Sequence, residues 1–325
     1  MSKTFSERVK GSFKNRVFES IPDGQLKDWL WWQYQKSALS ILRDEILALD
    51  IEKTGKDEGF LFVKLRNGLT FYGWKTPESS RRYWKHFGRE DGFEFFDILE
   101  AIIVRYKYPQ SIPIGTPLSK GWSHSYYHHS GVIGDMRTSP EQKLLLTQRF
   151  IPKLGNTVLD VGAFMGYGTM KLSQLVGPSG QVIAFECNPS TFDLLTKNIL
   201  ENRLNNVLLM GKAAWNKSER IMLGEGEPQG RSLIEGIPTV EVEGIAIDSL
   251  KLDRVDFISF TINGAELEAL EGARQTLERL HPNLSVIGWV YRDGQPIWKR
   301  VKPYLESLGY KCLVGGRGGV LAWKE

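Results

Sequence analysis

Cysteine is nearly absent from this chain: 325 residues hold two, Cys187 and Cys312. That excludes a disulfide framework and a cysteine-based zinc site, and it fits a reducing compartment, so a cytoplasmic location is the expectation. Long apolar runs are missing too. No stretch approaches the roughly 20 residues a membrane helix needs, and the opening MSKTFSERVKGSFKNRVF lacks the apolar region of a secretory signal. Concentrated charge of either sign is also lacking. Residues 1–140 hold 21 Lys and Arg against 17 Asp and Glu, and the remainder is balanced, so the net +4 is dispersed. Without an arginine-rich segment or zinc-finger spacing, nucleic acid is not an expected partner.

What is present is the balance of a globular protein, 41% hydrophobic and 25% charged. The chain divides near residue 140. Residues 1–138 read as a helical and β-hairpin cap region, facing a substrate or an interface. They carry helical spacing from Asp23 to Asp50, a hairpin signal at Asn67-Gly68 within FLFVKLRNGLTFYGW, and a further helix from Gly92 to Tyr106. Residues 139–325 read differently. Ser139-Pro140-Glu141-Gln142 is a helix start, and TVLDVG, QVIAFE, NVLLMGKAA, VDFISFTIN and NLSVIGWV are nearly continuous apolar strands, most of them separated by helical stretches such as Ser190–Asn202 and Ala265–Leu280. This alternation predicts a doubly wound, Rossmann-like α/β sheet. RIMLGEG and TVEVEGIAI read as a small β insertion. YKCLV and VLAWK, joined by only GGRGG, predict a terminal antiparallel hairpin.

Chemistry is expected where strands end. VLDVGAFMGYGT sets Asp160, Gly162, Gly166 and Gly168 at the first strand-to-helix turn, where absent Cβ atoms admit a ligand to the backbone. Glu186 follows at the end of the second strand, where a carboxylate can accept both hydroxyls of a ribose. The glycines run G-x-x-x-G-x-G rather than G-x-G-x-x-G, and Asp160 would repel a pyrophosphate. S-adenosylmethionine, with its ammonium group, is the better fit than a dinucleotide.

VLDVGAFMGYGT, VIAFECNPSTFDLLTKNI, the Ala213-Ala214 pair, AIDSLKLDRVDFI and NGAELEALEGA, in that order, resemble the FkbM family of S-adenosylmethionine-dependent methyltransferases, from about Ser139 onward. The resemblance implies that Asp160, Gly162, Ala163, Phe164, Gly166 and Thr169 line the methionine end of the cofactor. It implies further that Glu186 holds the ribose and that Asn188 and Ala213 lie against the adenine. One stretch departs. Where the family reads like IKIDVEGAE, this chain has ISFTINGAE, so Ser259, Thr261 and Asn263 stand for a lysine, an aspartate and a glutamate. After the next strand, where the family often has an acid, stands Gly288 or Trp289.

The expected reaction is methyl transfer to a hydroxyl oxygen of a small specialised metabolite, as in natural product biosynthesis. Transfer to an amide nitrogen of a peptide or asparagine-like side chain is the alternative, since Asn263 and Thr261 can pair with an amide's donor and acceptor. A non-catalytic cofactor-binding scaffold is the alternative from another class. Candidate catalytic groups are Asn263 and Thr261 at the strand end, Glu266 on the following helix, and His124 and His128 of WSHSYYHHSG as bases titrating near neutrality. No metal is expected. The oligomeric state is open, a homodimer included.

Overall fold

The computed structural model describes residues 50–73, 140–224, 238–315 and 318–325. The expected helices near residues 23–50 and 92–106, and the WSHSYYHHSG segment, lie outside them.

The Asn67-Gly68 signal gives a hairpin. β1 (Ile51–Asp57), β2 (Phe60–Leu65) and β3 (Thr70–Gly73) form an antiparallel three-stranded sheet, and Leu69 donates its N–H to Asn67 Oδ1 across the turn. Alternate residues Leu61, Val63 and Leu65 are buried, as the two-residue period of a half-covered strand demands.

The second body is a three-layer α/β/α unit. Its elements run α1 (Pro140–Phe150), β4 (Thr157–Val161), α2 (Tyr167–Val176), β5 (Gln181–Phe185), α3 (Pro189–Glu201), β6 (Val207–Met210), β7 (Ala213–Ala214), β8 (Glu219–Gly224) and β9 (Pro238–Ile245). There follow β10 (Phe257–Phe260), α4 (Glu266–Glu271), α5 (Arg274–Leu280), β11 (Asn283–Val286), β12 (Tyr291–Arg292), β13 (Gln295–Pro296), α6 (Trp298–Ser307), β14 (Lys311–Val314) and β15 (Val320–Trp323). Seven of these strands make one sheet in the order β14-β15-β11-β10-β4-β5-β6, with β15 alone antiparallel to its neighbours. That is the doubly wound sheet with a terminal hairpin that the apolar pattern predicts. β8 and β9 pair antiparallel and, with β7, form the predicted β insertion.

Both faces of the sheet are covered. Leu159, Val161, Ile258, Phe260, Leu284 and Val286 pack under α4, α5 and α6, while Val158, Val182, Phe257 and Leu321 meet Phe150 of α1 and Val176 of α2. The β1–β3 sheet shares a third cluster with α2 and α3, where Phe71 and Leu61 join Tyr167, Met170, Leu194 and Leu195. From β4 the chain winds one way to β5 and β6, then returns to fill the other side with β10 and β11. The crevice at that reversal, outside the ends of β4 and β10, is where such sheets take their ligands.

One expectation needs correction. The helical stretch 265–280 is two helices, broken after Glu271. A Cβ on Gly272 would stand 1.8 Å from the carbonyl oxygen of Trp215, and Gly272 itself accepts from Asp248 N–H at 2.9 Å, so the chain yields its helix to this close approach. No helix among the described residues is long and apolar enough to cross a membrane.

Candidate cofactor and active site

The turn after β4 is tied down on every side. Gly162 and Ala163 both donate to Phe185 O, at 3.0 and 2.8 Å, and Thr169 Oγ1 of α2 donates to Asp160 Oδ2 at 2.6 Å. Gly162 has φ +87°, and a Cβ there would lie 2.0 Å from Thr261 O, so this glycine is required by the neighbouring strand end. The sequence reading gave that freedom to a ligand alone; the nearer cause is backbone. Gly166, at φ +87°, caps α2 and clears Leu195 of α3. Between them Phe164 adopts φ +52°, a left-handed conformation that costs a non-glycine residue roughly 1–3 kcal/mol.

Glu186 stands just past β5 and grips this turn. Its carboxylate accepts from Phe164 N–H at 3.0 Å and from Asn188 N–H at 2.9 Å. Burial pushes its carboxyl up to about 7, against the pull of those two N–H groups, and the charge of Asp160 adds to the rise. Asn188 is buried, with its Oδ1 accepting from Ser190 Oγ and its Nδ2 left without a partner. Ala213, also buried, pairs with Gly244 of β9 on the same side.

The end of β10 lies next to the glycine turn, and the register sets Ser259 beside Asp160. Thr261 donates its N–H to Val161 O at 2.8 Å. Asn263 and Gly264 then take φ +53° and +103°, a pair of left-handed residues that asparagine and glycine tolerate best. Inside this turn lies Glu266, fully buried. Its two carboxylate oxygens accept from Ile262 N–H at 3.2 Å and Gly264 N–H at 2.8 Å, so it holds the turn from within. Arg292 of β12 pairs with Glu268 at 2.6 Å from the same flank. Sequence reasoning missed that pair, because the two residues lie 24 positions apart with no local signal joining them. Gly288, one of the two residues at the place expected for the family's acid, has its Cβ direction filled by Gly318 O at 2.0 Å and Trp298 Cβ at 2.5 Å. The structure thus brings Asp160, Gly162 and Thr261 together at the ends of β4 and β10, with Asn263 two residues beyond Thr261 and with Glu186 and Asn188 at the neighbouring strand end. His124 and His128 lie outside the described residues.

Burial also pushes the Glu266 carboxyl up to about 7, opposed by backbone N–H groups and reinforced by Glu268. The folded chain therefore holds that proton more tightly than the unfolded chain, whose carboxyl titrates near 4.5. Stability is full below that value and falls as pH rises toward 7, by on the order of 3 kcal/mol. Glu186 acts with the same sign. Urea midpoints at pH 5 and pH 8 should therefore show the wild type weakening with pH, and Glu266→Gln should remove about half of the fall.

Residues 160–312 match the family model for the methyltransferase FkbM domain. These 153 of the 325 residues are similar to an FkbM methyltransferase domain. Curated relatives include the catalytic subunit of tRNA (adenine(58)-N(1))-methyltransferase from Cryptococcus neoformans, 29% identical over 147 residues that cover 40% of this chain and 32% of that one. Another is a protein-L-isoaspartate O-methyltransferase from Methanopyrus kandleri, 27% identical over 93 residues, covering 29% and 36%. The chain spans about a third of the length of these relatives. Among solved structures, a methyltransferase FkbM from Methylobacillus flagellatus is 15% identical with a TM-score of 0.42, covering 75% of this chain and 65% of that one. An FkbM domain is that of an S-adenosylmethionine-dependent methyltransferase, and the residues present fit that cofactor. Glu186 can accept from two hydroxyls, and the orphaned Nδ2 of Asn188 is a buried donor awaiting an acceptor such as an adenine nitrogen. Among the described residues no three His, Cys, Asp or Glu stand together as a metal site.

Proposed function

We propose that this chain transfers a methyl group from S-adenosylmethionine to a hydroxyl oxygen of a small specialised metabolite. The observation that carries the reading is the neutral end of β10, where Thr261 lies against Gly162 and Asn263 follows in a left-handed turn. S-adenosylmethionine supplies a sulfonium-bound methyl group, electrophilic enough that alignment of the acceptor dominates the barrier. Alignment of that kind is worth several kcal/mol. Glu186 holds the ribose hydroxyls, Asn188 and Ala213 meet the adenine, and Asp160, Ala163, Phe164, Gly166 and Thr169 shape the methionine end. Thr261 and Asn263 orient the acceptor by hydrogen bonds, and Glu266 fixes their turn rather than touching substrate. The proton of the hydroxyl goes to a histidine, His128 or His124, the side-chain type suited to general-base work at physiological pH.

An amide nitrogen is the second acceptor, supported by the donor and acceptor that Asn263 can present together. The name of one relative makes nucleic acid a rival class of acceptor; the charge balance of residues 141–325 favours a small molecule. Calorimetry with S-adenosylhomocysteine and NAD comes first, and binding of NAD alone would sink the reading. Release of S-adenosylhomocysteine is then followed with hydroxyl, amide and RNA acceptors. His128→Ala should lower kcat by about 10²-fold and remove a limb of the pH profile near neutrality, whereas Asn263→Ala should chiefly raise KM. Turnover confined to amide or RNA acceptors overturns the oxygen assignment.

A further inference from the structure

β3 is an outer strand of its sheet, so its outward N–H and C=O groups need partners from elsewhere. Asn198 of α3 and Asn202, the residue that caps its C-terminal end one turn on, provide them. Asn198 Oδ1 accepts from Tyr72 N–H at 2.7 Å, and its Nδ2 donates back to Tyr72 O at 3.0 Å. Asn202 does the same for Thr70, accepting at 2.9 Å and donating at 2.6 Å. Each side chain thus imitates a neighbouring strand with one donor hydrogen left over.

The leftover donors go to different places. That of Asn202 stays within α3, on Asn198 O at 2.7 Å. That of Asn198 reaches Met165 O at 2.8 Å, inside the glycine turn after β4. Tyr167 adds its hydroxyl to Tyr72 O at 2.6 Å. Asn198 and Tyr167 are fully buried and Tyr72 nearly so, which leaves water little chance to replace any of these bonds. Met165 follows Phe164, the left-handed residue whose N–H Glu186 holds. The turn is therefore gripped at adjacent residues from two sides, by the carboxylate that faces the ribose and by an amide that reports the seating of β3.

We propose that Asn198 is a positioning residue for the cofactor: through its amide the β1–β3 sheet sets the shape of residues 162–166. This rests on the reading that these residues bind S-adenosylmethionine. Residues 50–73 are then part of the cofactor machinery, and anything that shifts the small sheet changes cofactor affinity without touching the cofactor.

Asn198→Ala and Asn202→Ala, made in the full chain, separate this from a merely structural role. Each removes one bidentate grip on β3, so both should lower the melting temperature by similar amounts. Hydrogen exchange of the amides of residues 163–167, read in the absence of cofactor, should rise about tenfold in Asn198→Ala and stay at the wild-type rate in Asn202→Ala. The S-adenosylhomocysteine Kd, measured well below both melting temperatures, should rise about tenfold in Asn198→Ala, the effect of leaving one buried acceptor unmet, and less than about twofold in Asn202→Ala. Asn198→Asp, which keeps the bond to Tyr72 N–H and loses the donors to Met165 O and Tyr72 O, should follow Asn198→Ala in both readouts. Equal exchange in the two alanine variants, or no change in Asn198→Ala, overturns the inference. If the wild type bound no S-adenosylhomocysteine, the cofactor reading would fall, and the exchange comparison alone would decide whether β3 shapes the turn.

Discussion

Gly162→Ala is expected to lose cofactor binding and much of the stability of the fold together. Two penalties meet at this position. A left-handed backbone at φ +87° strains any residue with a Cβ, and that Cβ would lie 2.0 Å from the carbonyl oxygen and 2.8 Å from the carbonyl carbon of Thr261. Both contacts are backbone, so no rotamer relieves them. Strain and overpacking together cost roughly 2–6 kcal/mol, a large share of the about 5–15 kcal/mol that holds a domain together. Thermal unfolding should show a fall of about 10 °C. Gly294→Ala is the control, since Gly294 has φ +74° and nothing within 4 Å of its Cβ position, and so carries the strain without the clash. Equal losses in the two variants would mean that Thr261 does not crowd the glycine turn.

Glu186→Ala is expected to weaken S-adenosylmethionine binding by about 100-fold or more. The carboxylate accepts from Phe164 and Asn188, so its removal strands two N–H groups and releases a left-handed residue in the turn. Hydrogen bonds to a charged group contribute about 1.5–3 kcal/mol each, and the proposed ribose contact would lose two as well. The pH dependence carries a definite sign. With the carboxyl pushed up to about 7, a fraction is protonated at neutral pH, and the proposed ribose contact requires the ionised form as acceptor. Affinity in the wild type should therefore climb between pH 6 and pH 8, as a calorimetric series would show. Glu186→Gln, which has no charge to gain, should bind weakly with a flat profile; a climb that persists in Glu186→Gln would move the titrating group elsewhere.

The sheet was legible because its strands are covered on both faces, and continuous apolar runs such as Thr157–Val161 and Gln181–Phe185 have few other uses. The hairpin at Asn67-Gly68 was legible because its signal is local. The glycine turn after β4 was legible through spacing along a single strand-to-helix turn. What escaped is what depends on approach between distant segments. The break at Gly272 is set by Trp215, the Arg292–Glu268 pair reaches across α5 and β11, and Asn198 reaches the glycine turn from 33 positions away. Gly162 shows the same limit in another form: the residue was found, and the carbonyl that demands it was not. Glu266, readable as a helix-end acid, needed its two backbone partners before its role as the clamp of the Asn263 turn could be seen.

Gly288 limits what can stand just beyond β11. With Gly318 O and Trp298 occupying the space of its side chain, no single substitution fits an acid at position 288. The turn around Gly318 and the start of α6 would have to move first. The C-terminal hairpin, paired with β11 through β15, thus holds that stretch of backbone bare, and a side chain at this edge of the sheet has room only at neighbouring positions.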